Sequence, residues 1–156
     1  MRYLLVLIAL ISLPTKAIEL DMYLGLSQGT VEEYTHTSVI TGIGINEYLA
    51  IEGRLGTGSK NEQSKLDLTA SLLAKISVPI NETNKINIFG GMSASNILYS
   101  PRYDKEYNDA ALSSTVGFGI EMKLSESITV SIDKISYIKA EEYNLSGFNL
   151  SIIKYF

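Results

Sequence analysis

Gly42-Ile43-Gly44-Ile45-Asn46-Glu47-Tyr48-Leu49-Ala50-Ile51-Glu52-Gly53-Arg54-Leu55-Gly56 is the stretch on which the reading of this chain turns. Before Asn46-Glu47, apolar residues recur at every second position through Val39, Thr41, Ile43 and Ile45. After it they recur through Leu49, Ile51, Gly53 and Leu55. A period of two puts one set of side chains on one face of an extended strand and the intervening set on the other. The intervening set here is Gly42, Gly44, Glu52, Arg54 and Gly56, which is small or charged.

The same alternation runs along the rest of the chain. Ile18, Leu20, Met22, Leu24 and Leu26 precede it. Leu66, Leu68, Ala70, Leu72, Ala74 and Ile76 follow, then Ile86, Ile88, Gly90, Met92 and Ala94. Leu112 to Met122, Ile128 to Ile132, and Phe148, Leu150, Ile152 and Phe156 complete the set. Eight segments result, most of them of about 9 to 11 residues, the length with which a tilted strand crosses a bilayer. The connections at Asn46-Glu47, Pro79 to Asn84 and Leu124 to Ser127 are short. Those at Gly29 to Thr35, Gly58 to Ser64, Leu98 to Asn108 and Ile138 to Tyr143 are mostly longer. An even number of strands with short turns at one end and longer loops at the other is the pattern of an outer-membrane barrel. The expected fold is all-β, an eight-stranded antiparallel up-and-down transmembrane β-barrel.

The face opposite the apolar one decides between membrane and water. A soluble barrel turns its apolar face inward and needs a well-solvated outer face. Here that second face is mostly small and neutral, as in Ser38, Gly42, Gly44, Thr69, Ser71, Asn87, Gly91, Ser93, Ser113, Thr115, Gly117, Gly119, Thr129 and Ser131. Such residues suit a lumen filled by side chains. Asp21, Glu52, Arg54, Asp67, Lys75, Glu121 and Asp133 interrupt it. A buried unpaired charge is costly, so Arg54 is expected to meet Glu52, Asp67, Glu121 or Asp133, giving a lumen charge network. Tyrosines gather at strand ends: Tyr34, Tyr99, Tyr103, Tyr107, Tyr137 and Tyr143 externally, Tyr48 and Tyr155 at the other end. They are expected to form interfacial girdles.

One residue resists this scheme. Extending Ile128, Val130 and Ile132 puts Lys134 on lipid, where a lysine costs about 2–4 kcal/mol at the midplane. Two escapes are open: Lys134 snorkels to the external headgroups, or a bulge near Asp133 turns it inward and brings Ile135 out.

The chain has 156 residues and no cysteine. Arg2, the apolar run Tyr3 to Leu13 and Pro14-Thr15-Lys16-Ala17 have the layout of a secretory signal peptide, which assigns residues 1–17 to export and 18–156 to the barrel domain. Cleavage after Ala17 removes Arg2 and Lys16 and leaves 11 bases against 17 acids, a net charge of −6. That charge argues against nucleic acid as a partner.

The hairpin from Gly42 to Gly56, its near-copy from Gly117 to Asp133, and the end strand Gly147 to Phe156 resemble small outer-membrane barrels of the OmpA/OmpX and opacity-protein kind. The resemblance implies a place in the cell outer membrane, with membrane lipid, lipopolysaccharide and the barrel-assembly machinery as partners. It also implies that Phe148, Leu150, Ile152 and Phe156 carry the assembly signal.

Chemistry is sparse. Some relatives of that kind are lipid A hydrolases, and His36 with Ser38 on one strand face is the one pair of base and nucleophile at a useful spacing. Glu52 or Glu33 could orient the imidazole, but nothing in the sequence fixes the remaining roles, so His36 is read as an exposed histidine at a strand start. Glu32-Glu33 and Glu141-Glu142 lack the spacing of a calcium loop. No catalytic residue, metal or cofactor is expected. The expected function is structural or surface-interacting, of adhesion type, through the external loops. Tyr99, Arg102, Tyr103 and Tyr107 in the longest loop are expected to form the contact surface for an extracellular ligand. The alternatives are a lipid A-modifying hydrolase and a soluble periplasmic barrel that binds a hydrophobic ligand.

Overall fold

A computed structural model describes residues 21–31, 34–59, 64–99, 107–138 and 144–156. Residues 1–17, read as a signal peptide, lie outside the described residues. Eight strands follow one another: β1 (Asp21–Val31), β2 (Tyr34–Gly44), β3 (Leu49–Gly58), β4 (Ser64–Pro79), β5 (Asn84–Tyr99), β6 (Tyr107–Lys123), β7 (Ile128–Ile138) and β8 (Asn144–Tyr155). Each pairs antiparallel with the next, and β1 pairs with β8, so the sheet closes into a barrel. Closure leaves no strand edge unpaired, which the interior of a bilayer requires.

The register gives the barrel its dimensions. Start at Asp21 and cross from partner to partner through Gly44, Ala50, Lys75, Phe89, Gly117, Ile135 and Gly147. The path returns to β1 at Val31, ten residues along. Eight strands with that stagger tilt by roughly 40° and enclose a space that side chains fill.

Three turns share one design. Ile45–Tyr48, Ile80–Thr83 and Leu124–Ser127 each begin with an apolar residue whose N–H donates to the carbonyl of the first residue of the next strand, at 2.7, 2.8 and 2.9 Å. The second turn residue is Asn46, Asn81 or Ser125. Asn46 Oδ1 accepts from the N–H of Tyr48 and Leu49, and Asn81 Oδ1 from those of Thr83 and Asn84. Ser125 Oγ accepts from the N–H of Ile128. Short polar side chains that bond their own backbone two or three residues on favour such turns. At the other end, β1 continues to Val31 and β2 begins at Tyr34, so the first external connection is shorter than the Gly29 to Thr35 that the sequence suggests.

The apolar face points outward, with Met22, Leu24, Leu26, Ile51, Leu72, Ile88, Phe118, Ile132 and Leu150 all exposed. Water would not tolerate such a continuous belt. The reading as a soluble barrel with an apolar interior is therefore overturned. Strands β4, β5 and β6 run to 16, 16 and 17 residues, longer than the periodic segments imply. Backbone pairing continues past the apolar run, because polar residues pair as well as apolar ones once clear of lipid.

Two local departures matter. Between Leu66 and Leu68 the β4–β5 register shifts, a bulge that places one extra residue on β4. Leu66, expected on lipid with Leu68, is turned inward and is 0% exposed. On β7 no register shift occurs. Asp133 and Ile135 are both buried, and Lys134 stays on the outer face, so of the two escapes the bulge at Asp133 is absent.

Candidate functional site

The lumen is built in tiers. Toward the external end, Val31, Tyr34, Leu66, Leu73, Phe89 and Ile135 form an apolar cluster. Toward the other end, Tyr23, Ile40, Ala50 and Ile153 form a second, with Tyr155 packed against it. Tyr34 and Tyr155 thus face inward and do not join the interfacial girdles. Tyr48 is exposed in its turn. The side chains of Tyr99, Tyr107 and Tyr137, and all of Tyr103 and Tyr143, lie outside the described residues.

Ionised side chains occupy the lumen as well. Arg54 Nε donates to Glu52 Oε1 at 2.6 Å and Arg54 Nη1 to Asp133 Oδ2 at 2.8 Å. Its guanidinium also lies 4.9 Å from the Phe89 ring centre. Glu52 sits two residues before Arg54 and so shares its face, whereas Asp133 is reached across the lumen from β7. Lys75 Nζ donates to Glu121 Oε2 at 2.6 Å and lies 5.2 Å from the Tyr23 ring centre. Asn87 Nδ2 and the Tyr155 hydroxyl also donate to Glu121, at 3.1 Å each. The Tyr23 hydroxyl donates to Glu52 Oε2 at 2.8 Å, and the Tyr23 and Tyr155 rings lie 5.1 Å apart. The two ion clusters thereby join into one network through a tyrosine pair. Glu52, Glu121 and Asp133 face Arg54 and Lys75, a net charge of −1 among the described buried ionised groups. Asp67 lies at the β4 bulge and its side chain is outside the described residues. Sequence reasoning had Lys75 on the correct face but not its pairing with Glu121, since the two lie on strands that do not adjoin. Only the closed barrel brings them together.

Glycines make room for these bulky groups. A side chain at Gly42 would collide with the Tyr23 ring. A Cβ at Gly56 would stand 2.6 Å from His36 Nε2. His36 is not the exposed histidine expected. It is 3% exposed, faces the lumen, and its Nε2 shares a 2.7 Å hydrogen bond with Thr69 Oγ1. Ser38 is buried beside it. An imidazole lying over Gly56 inside the barrel is sealed from the lipid face. Among the described residues, no three of His, Asp and Glu converge as a metal site.

Phe148, Leu150, Ile152 and Phe156 all face outward. Lys154 points the same way, its Nζ 5.2 Å from the Phe156 ring centre. Arg102 and Tyr103 of the expected loop surface lie outside the described residues.

Against known proteins, the fold is shared widely and the sequence is not. A comparison with curated proteins finds no match. Among solved structures, the N-terminal β-barrel domain of Pseudomonas aeruginosa OprF matches with a TM-score of 0.76 and 11% identity, covering 87% of this chain and 97% of that one. Ail, the attachment invasion locus protein of Yersinia pestis, matches with a TM-score of 0.64 and 13% identity over 88% and 97%. Neisserial surface protein A matches at 0.57 and 10% over 87% and 94%. Residues 3–153 match the family model described as outer membrane protein beta-barrel domain, and the chain belongs to that family of outer-membrane proteins.

Proposed function

We propose that this barrel is a structural or surface-interaction protein of the outer membrane that acts through its external loops. The observation that carries the reading is the packed lumen. Among the described residues two apolar clusters and a joined ion network occupy it between its ends, leaving the outer wall and the loops as the working surfaces. Proteins of this fold include one named for attachment, Ail, although the likeness extends to fold alone. In this reading the loop of Tyr99, Arg102, Tyr103 and Tyr107 makes the contact. Residues 1–17 are removed on export, and Phe148, Leu150, Ile152 and Phe156 are read by the assembly machinery.

The experiment compares cells expressing the protein with cells expressing a variant in which those four loop residues are alanine. Adhesion to epithelial monolayers is scored at equal surface levels. The variant is expected to lose adhesion, and equal adhesion would remove the loop reading. No catalysis is assigned. The burial of His36 supports this, and incubation with the protein is expected to leave lipid A unchanged in mass. Loss of an acyl chain would restore the hydrolase reading.

A further inference from the structure

The end of the lumen that carries the three short turns is open. A cavity of about 410 Å³ lies in this mouth, and short turns mark the periplasmic end of an outer-membrane barrel. Glu121, Thr129 and Tyr155 form its floor, all wholly or partly buried. Below them the floor is closed by Lys75, whose Nζ donates to Glu121 Oε2 at 2.6 Å. The rim carries Asp21 from β1, Lys85 from β5, Lys123 from β6, and Glu82 and Glu126 from the two turns that flank β5 and β6.

Two features of this mouth set it apart from the packed lumen. The first is Thr129. It is 7% exposed, and its Oγ1 has no hydrogen-bond partner among the described residues. Ser77, buried on β4, instead spends its hydroxyl on Asn87 Oδ1 at 2.7 Å. A buried hydroxyl left unpaired is costly, and this one lines a cavity open to a ligand. The second is the rim charge. Arg54 and Lys75 are both paired, whereas none of the five rim charges forms an ion pair among the described residues. Lys123 stands directly opposite Thr129 in the β6–β7 register, so an ammonium and a hydroxyl sit side by side as donors. Lys85 adds a second ammonium from the adjoining strand. Asp21 faces them from β1, with Tyr155 of β8 between. Three acids against two lysines give the rim a net charge of −1, which disfavours a ligand that is anionic overall.

We propose that this mouth is a binding site for a short zwitterionic peptide from the periplasm. The peptide carboxylate takes Lys85, Lys123 and the Thr129 hydroxyl. Its α-ammonium group takes Asp21, and the Tyr155 ring forms the wall between the two ends. A cavity of this size falls at the lower end of small-ligand sites and suits about two or three residues. The site lies at the opposite end of the barrel from the loops and is independent of the adhesion reading.

The test uses the protein purified from outer membranes in a neutral detergent, titrated calorimetrically with trialanine, trialanine amide, N-acetyl-trialanine and succinate. Trialanine is expected to bind. Capping either end is expected to weaken binding about tenfold, the cost of one lost hydrogen bond to a charged group. Thr129→Val, which keeps the shape and removes the hydroxyl, is expected to weaken trialanine binding. In Lys85→Met/Lys123→Met, trialanine and its amide are expected to bind alike. Lys134→Met, on the outer wall, is expected to bind as the wild type does. Heat-modifiable gel migration verifies that each variant is folded. No binding of trialanine at millimolar concentration overturns the proposal. So does equal binding of the free and capped peptides by the wild type. Succinate binding more tightly than trialanine makes this an anion site and overturns it as well.

Discussion

Arg54 and Lys134 are cations on strands of the same barrel, but they live in different solvents. Arg54 points into the lumen, is 7% exposed, and holds two carboxylates at 2.6 and 2.8 Å. Lys134 points outward and has the Phe148 ring centre 5.3 Å from its Nζ. A single step along a strand exchanges one environment for the other, because successive side chains point to opposite faces. In the lumen, the cost of taking a charge out of water is offset by acids that the barrel brings across from other strands. On the wall, the described residues supply no such acid.

That contrast sets the order of mutational effects. Arg54→Met leaves Glu52 and Asp133 buried without their cation, and removing one partner of a buried ion pair costs about 3–5 kcal/mol. Urea unfolding of the protein in lipid vesicles should show a loss of that size. Adding Glu52→Gln and Asp133→Asn should recover part of it. A loss below about 1 kcal/mol would mean that the lumen solvates its charges as water does. Lys75→Met is expected to fall at the lower end, about 3 kcal/mol, since Glu121 keeps its bonds from Asn87 and Tyr155.

The apolar residues sharpen the comparison. Leu72 and Leu73 are adjacent, one facing lipid and one fully buried in the lumen. Leu73→Ala should cost about 2–3 kcal/mol by leaving a cavity. Leu72→Ala should cost no more than about 1 kcal/mol, because lipid fills the space. Equal losses in the same unfolding assay would show that the two faces do not differ as drawn. The smallest effect belongs to Lys134→Met. In detergent it should be neutral or stabilise by about 1 kcal/mol, as a lysine on the apolar outer wall is released. A clear destabilisation there would point to a protein partner for Lys134.

Much of the fold is legible in alternation. The outward series through Ile43, Ile51, Ile88, Phe118 and Leu150 reads correctly because lipid demands an apolar side chain at nearly every outward position. The lumen reads less well. Ile40, Leu73, Phe89 and Ile153 are apolar residues on the inward face, each directly after an outward residue: Val39, Leu72, Ile88 and Ile152. Such doublets are the trace they leave, and a period-two reading passes over them because one apolar face already accounts for the strand. Leu66 escapes the period-two reading for another reason. A bulge reverses the phase, and nothing around Asp67 announces one. His36 reads as exposed because it stands near a strand end, and nothing local shows that its ring packs over Gly56.

By itself the sequence determined how many strands there are, which face of most of them meets lipid, and that Glu52, Arg54, Lys75, Glu121 and Asp133 turn inward. These depend on single strands, and a strand's faces follow from its own alternation. Only the tertiary structure decided which charge meets which. Arg54 finds Asp133, Lys75 finds Glu121, and Tyr23 reaches Glu52 because the sheet closes with a ten-residue stagger. Closure and stagger belong to all eight strands at once, so no one stretch of sequence contains them.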